Sequence, residues 1–161
     1  MPKSILVINL MHIGDLLLVT PILRTLRTQF PQAHIALLAD KKLQDLVKNN
    51  QNIDELITID KKGQDDGLLP YLSFAWKLRQ RRFEWVINLH QNERASFLAA
   101  FSGAKTIVGY ATAVLRHCFT KYMLNRKAEK HQIESHFDVL RELLGVAERD
   151  DQGLEIWLDA D

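Results

Sequence analysis

Residues 4–38 read SILVINLMHIGDLLLVTPILRTLRTQFPQAHIALL. The stretch opens on a continuous apolar, largely β-branched run, residues 4–9, with no polar alternation. That is the pattern of a strand buried on both faces, and hence of a parallel sheet. A helical stripe follows, with Val19, Ile22 or Leu23, Leu26 and Phe30 on one side. A second apolar run, 34–38, then begins. Strand, helix and strand in this order make one βαβ unit. The rest of the chain repeats the alternation. A short helix is predicted over 41–49, a strand over 55–59, and a polar, glycine-bearing loop over 60–67. A helix with basic last turns spans 69–82, a strand 85–89, and a helix closed by Gly103 spans 93–101. A strand spans 106–110 and a helix ended by Gly145 spans 133–144. Residues 154–158 read as a strand or a linker. The spacing predicts an α/β fold: a doubly wound, Rossmann-like parallel sheet with right-handed crossovers. No internal repeat is evident. The first helix has two candidate starts, Gly14 or the pair Thr20–Pro21. The unbroken LLLV before the proline favours one helix from Gly14, kinked at Pro21.

At 161 residues the chain is one domain's worth, and 47% hydrophobic with 25% charged residues is an ordinary globular balance. The single cysteine, Cys118, excludes an intrachain disulfide and a cysteine-based metal site, and a buried thiol is expected for it. No apolar stretch approaches the ~18 residues of a membrane span, and the opening run is too short for a signal peptide. A cytoplasmic location is expected. Net charge is +1, yet the charge is segregated. Residues 105–131 hold six basic residues (Lys105, Arg116, Lys121, Arg126, Lys127 and Lys130) against Glu129, and residues 148–161 hold six acids against Arg149. The basic stretch suits either a solvated face or an anionic ligand.

In open parallel sheets, ligands bind outside the carboxyl ends of the strands. That rule selects the loops 10–15, 39–41, 60–67 and 90–94 and the stretch after Tyr110. In the first, Gly14 suits a tight turn and Asp15 falls in the first helical turn. There, free backbone N–H groups and the helix dipole favour an ionised carboxylate, ready to accept a proton or simply to cap the helix. His12 is placed to orient a ligand, or is a satisfied loop residue. Lys61 and Lys62 lie in the third loop. His90, Gln91, Asn92 and Arg94 bring short polar groups and one guanidinium to the fourth, suited to sugar hydroxyls and to phosphate or carboxylate. Arg116 and His117 open the basic stretch. A single glycine in the first loop, without GxGxxG, argues against a dinucleotide-dependent oxidoreductase. A phosphoacceptor receiver would need acids after the first strand, where NLMH has none. No metal is expected, because His131 and Glu134 have no partners at ligand spacing. Tyr71, Phe74 and Trp76, with Lys77, Arg79, Arg81 and Arg82, suit helix packing or a membrane-facing surface.

Residues 5–40 closely resemble the opening of the lipopolysaccharide core heptosyltransferases, glycosyltransferase family nine. The resemblance runs on through NIDELITID (52–60), WVINLHQNERASFLAAFSGAKTIVGY (85–110) and HQIESHFDVLRELLGV (131–146). It implies the N-terminal half of a GT-B fold, binding the inner-core lipopolysaccharide acceptor, with carboxylates and phosphates as targets for the basic residues. It also implies Asp15 as general base of an inverting transfer. The donor, ADP-heptose, would be held mainly by a C-terminal domain that has no counterpart here, and no cofactor is implied. Residues 1–161 are then one acceptor-binding domain, with 153–161 starting the interdomain linker. Such an enzyme would sit in the cytoplasm, in peripheral contact with the inner face of the inner membrane, and without its second half the chain would be inactive. The competing reading is a non-catalytic domain that binds a sugar phosphate.

Overall fold

A computed structural model describes residues 1–110, 115–123, 131–146, 150 and 152–157. The strands are β1 (Ser4–Ile8), β2 (His34–Asp40), β3 (Glu55–Ile59), β4 (Trp85–Asn88), β5 (Thr106–Tyr110) and β6 (Lys121–Met123). They form one sheet in the order β3-β2-β1-β4-β5-β6, and every neighbouring pair is parallel. The helices are α1 (Ile13–Leu17), α2 (Thr20–Gln29), α3 (Leu68–Gln80), α4 (Glu93–Phe101) and α5 (Gln132–Asp138). The unbroken apolar character of β1 follows from its place. Ile5 and Val7 pack into the core beneath α2 and α5, while Leu6 and Ile8 pack into the core beneath α3 and α4. All four are fully buried, at about 1.5–3 kcal/mol each by transfer. This is the doubly wound, Rossmann-like sheet expected from the sequence.

The first helix differs from the expectation. The chain forms two helices, α1 and α2, joined through Leu18 and Val19. Pro21 has no N–H for the Leu17 carbonyl, and the Thr20 hydroxyl donates to that carbonyl instead, at 2.8 Å. Thr20–Pro21 therefore opens a helix, as its residue types suggest. Over 41–49 the helix is 3₁₀, confined to Lys41–Leu46. The final helix widens after α5 into a π turn, Val139–Leu143. Gly145, at φ 71°, closes it, with its N–H on the Arg141 carbonyl and that of Val146 on the Leu140 carbonyl. Strand β6 was not anticipated: three residues, KYM, offer no periodicity, and Lys121 and Tyr122 are exposed at the sheet edge. Cys118 is exposed rather than buried, because its neighbour Phe119 takes the interior position. Phe119 fits because Gly109 leaves room: a Cβ there would stand 2.7 Å from the Phe119 ring and from the Asn88 carbonyl oxygen. Arg126, Lys127, Glu129, Lys130, Glu148, Arg149 and the acids at 151, 159 and 161 lie outside the described residues.

Residues 154–157 form no strand; the segment folds back onto α2. Arg24, half-buried on α2, pairs with both Asp150 and Glu155 and donates to the Gly153 carbonyl at 2.9 Å. The Glu155 N–H donates to the Thr20 hydroxyl at 3.0 Å, and Asn52 and Trp157 both donate to the Glu155 carboxylate. The bond from Arg24, with that from the Gln152 N–H, outweighs burial and holds the Asp150 carboxyl below its ordinary range. Its contribution to stability is therefore fully present above pH ~4, the unfolded value, and is lost as pH falls through the lower folded value. Arg24→Ala leaves two half-buried acids without their cation, and is expected to cost roughly 2–4 kcal/mol in urea unfolding at neutral pH. The deficit should shrink when the measurement is repeated below pH 4. A variant as stable as the parent at neutral pH would show that the segment is not held by Arg24.

Candidate active site

The sheet order reverses direction between β1 and β4, and the chain leaves these two strands for opposite faces. From β1 it runs to α1 and α2, and from β4 to α4. A crevice at the carboxyl ends is the consequence. Both exits are built alike. The Asn9 carboxamide accepts from the Met11 N–H at 3.0 Å and donates to the Asp15 carbonyl at 3.4 Å, bracing the first loop. At the end of β4, the Asn88 carboxamide accepts from the His90 N–H at 3.2 Å. These are Asx turns that let buried strands stop sharply. A signal for them lies in the sequence: Val-Ile-Asn-Leu occurs at 7–10 and again at 86–89, once per strand.

Asp15 is the third residue of α1. The N-cap is His12, whose side chain makes no capping bond. Among the described residues the Asp15 carboxylate has no hydrogen bond or ion pair, so it is not acting as a cap. Gly14 departs from expectation. It lies within the helical turn without a positive φ, and a Cβ added there would meet nothing within 4 Å. The chain does not require glycine for the turn; its absent side chain leaves the backbone open to the crevice. A cavity of about 460 Å³ lies beside it, lined by His12, Gly14, Asp40, Lys42, Lys61 and Lys62, among others.

Lys61 is held on both sides. Its ammonium donates to the Leu10 carbonyl at 2.8 Å and lies 2.9 Å from the Asp40 carboxylate. Burial pushes the Asp40 carboxyl up, but the bonds from Lys61 and from the Lys42 N–H outweigh it, and the net shift is down. Asp40 was not singled out in the sequence. It ends β2, and only the sheet brings it to Lys61. Lys62 is exposed at the cavity wall. The 60–67 loop is bonded internally: the Asp60 N–H donates to Asp65, and the Gly63 and Asp65 N–H groups donate to the Asp60 carbonyl.

His90 is pushed down to about 4, first by burial and then by the charges of Lys61 and His12 nearby. It is therefore a neutral imidazole near pH 7, with Nδ1 buried and no partner for it among the described residues. Asn92 caps α4, its carboxamide oxygen accepting from the Ala95 N–H at 2.8 Å. Gln91 is half-buried between them. Arg94 lies over the Tyr71 ring, 5.6 Å from its centroid and 3.9 Å from the Asp66 carboxylate. Arg116 is set apart. It precedes β6, whose pairing with β5 begins at Lys121 and Val108, so it lies on the chain entering the sheet at its amino end. His117, beside it, is exposed. His131 caps α5, its Nδ1 accepting from the Ile133 N–H at 3.4 Å.

No family profile matches the sequence. Among curated proteins, lipopolysaccharide heptosyltransferase 3 of Escherichia coli K12 is 28% identical over 140 residues, which are 84% of this chain and 40% of that protein. Among solved structures, a glycosyl transferase family 9 protein from Veillonella parvula superposes on 98% of the chain with a TM-score of 0.87 and 34% identity, and the match spans 46% of its length. The E. coli heptosyltransferase WaaC, solved with ADP-2-deoxy-2-fluoro heptose, shares the fold at a TM-score of 0.78 and 14% identity over 93% of this chain and 51% of its own. The chain thus spans about half the length of the relatives it matches. It is similar over 98% of its own length to part of a family 9 glycosyl transferase, and over 84% to part of a lipopolysaccharide heptosyltransferase.

Proposed function

We propose that the chain is the acceptor-binding, N-terminal half of an inverting heptosyltransferase that acts on lipopolysaccharide, with Asp15 as its general base. The observation that carries this reading is an aspartate in the first helical turn after the central strand, next in sequence to Gly14 of the cavity lining. No hydrogen bond or ion pair among the described residues occupies its carboxylate. Such a group is open to a substrate hydroxyl. As the acceptor oxygen attacks the anomeric carbon of ADP-heptose, its proton passes to Asp15. The bond to the diphosphate breaks, ADP leaves with the electron pair, and the anomeric centre inverts. The second half of the protein would hold the nucleotide. In this reading the exposed backbone at Gly14 lets the acceptor approach closely. Lys62 and Arg94 meet its anionic groups, and His12, His90, Gln91 and Asn92 face its hydroxyls. Lys61, paired to Asp40 and Leu10, serves chiefly to hold the Asp15 loop. The relatives' names support the substrate class.

In a protein carrying both halves, Asp15→Asn is expected to cut transfer at least ~100-fold, the ordinary contribution of a general base. Melting of both Asp15→Asn and Asp15→Ala should stay within about 0.5 kcal/mol of the parent, as for a surface change that breaks no cap. Heptose transfer by Asp15→Asn at near the parental rate would remove Asp15 from the mechanism.

His90 should remain neutral in an NMR titration through pH 5, with its midpoint near the value of about 4 set by burial and by Lys61 and His12. Its lowered folded value means that stability is retained above the unfolded pKa of ~6.5 and declines as pH falls from there through the folded one. A midpoint near 6.5 would make His90 a solvated surface imidazole.

A further inference from the structure

Helix α3 is apolar on the wrong side as well as the right one. Its inner face, Tyr71, Ala75 and Leu78, is buried against the sheet and α4. Its outer face carries Leu68 at 72% exposure, Leu69 at 79%, Leu72 at 39% and Trp76 at 55%. At roughly 100° per residue, these four fall within one sector about 100° wide. They make up four of the nine large hydrophobic side chains exposed among the described residues. Ser73, Lys77 and Gln80 give the helix a polar face as well, so this exposed apolar sector is an excess beyond what burial against the sheet uses, and such a patch marks an interaction surface.

The charges indicate what covers it. Residues 67–83 contain no acid, while Lys77, Arg79, Arg81 and Arg82 crowd the carboxyl end of the helix. Arg81 is paired with Glu55. Arg79 stacks 5.2 Å from the centroid of the Phe101 ring and donates to the Phe101 carbonyl at 2.7 Å. Beside them lies a cavity of about 640 Å³, at the opposite end of the sheet from the crevice. Its lining includes Trp76, Arg79, Arg82, Ser102 and Lys105; one acid, Glu84, lines it too, accepting from the Lys3 N–H at 2.8 Å. Leucines and a tryptophan on one face, cations at its margin and a basic hollow of headgroup size match the interface of an anionic bilayer, with tryptophan at the depth it prefers.

We propose that α3 is an interfacial helix, lying flat on an anionic membrane surface with Leu68, Leu69, Leu72 and Trp76 among the acyl chains and Arg79, Arg82 and Lys105 on lipid phosphates. The placement has a consequence for the crevice. The amino end of α3 adjoins it, since the Tyr71 hydroxyl donates to the Arg94 carbonyl at 2.6 Å. A helix lying along the bilayer brings Arg94 and the carboxyl edge of the sheet down to headgroup level. The inference stands on α3 alone and does not depend on the proposed transfer reaction.

The test is flotation of the chain with vesicles of phosphatidylcholine alone and of equal parts phosphatidylcholine and phosphatidylglycerol. At low salt the chain should bind the mixed vesicles at least about tenfold better, and high salt should abolish the difference. Brominated acyl chains should quench the emission that Trp76→Phe removes. The double change Leu69→Glu with Leu72→Glu should lower binding by at least about tenfold while leaving melting unchanged, both side chains being exposed. Arg79→Gln with Arg82→Gln should weaken binding by on the order of tenfold, independently of the apolar pair. The proposal fails if the parent does not float with acidic vesicles at low salt, or if both double variants float as well as the parent. It also fails if sedimentation shows a dimer that Leu72→Glu dissolves, since a second copy would then be the cover.

Discussion

The parallel pairing of β1 with β2 on one side and β4 on the other is the constraint from which the rest follows. A parallel sheet cannot be closed by tight hairpins, so each strand returns through a crossover that must cover a face. Crossovers on both faces bury every side chain of β1 beyond Ser4 and force its sequence to be apolar throughout. They also require neighbouring strands to release the chain in opposite directions somewhere. That happens between β1 and β4, and the opening left there cannot be filled by either loop. The site is in this sense a by-product of how the core is covered.

Electrostatics then shapes the opening. Asp40 and Lys61 end or follow neighbouring strands, and their ion pair also fixes the Leu10 carbonyl, so three strand ends are tied at one point. The tie leaves a positive charge close to His90 and helps hold that imidazole neutral. Asp15, one helical turn into the next element, lies outside this network. The loop is thus held by groups other than the Asp15 carboxylate, an arrangement in which the supporting bonds need not break when a ligand binds.

The basic residues divide in the same way. Read along the chain, residues 105–131 are a basic stretch suited to a solvated face or an anionic ligand, and further cations are scattered before it. In three dimensions Lys62 lines the cavity beside Gly14, whereas Arg94 lies over the Tyr71 ring. Lys61 is part of the brace. Lys121 donates to the Leu143 carbonyl. Arg79, Arg82 and Lys105 gather at the opposite end of the sheet beside the exposed face of α3. One-dimensional charge density carries no information on which strand end a residue occupies, and strand ends decide the partners here.

What the sequence determined by itself is whatever depends on neighbours a few residues away. The doubly burying apolar runs of β1, β2 and β4, the stripe of α2 and the helix-closing Gly103 and Gly145 are local patterns, and each is where it was expected. The position of Asp15 just past the central strand was legible for the same reason. The break at Thr20–Pro21 has a local signal too, a helix-opening residue pair, although the unbroken apolar run before it equally suits one longer helix. Only the tertiary structure decided the rest. Whether Asp15 caps its helix depended on the placement of His12. The role of Lys61 depended on Asp40, 21 residues away and joined to it by the β2–β3 pairing. The exposure of Cys118 depended on Phe119 finding room above Gly109. The short strand β6 exists because β5 offers it a parallel edge. Periodicity reports a residue's angle around its own element, and these outcomes turn on which distant element stands opposite.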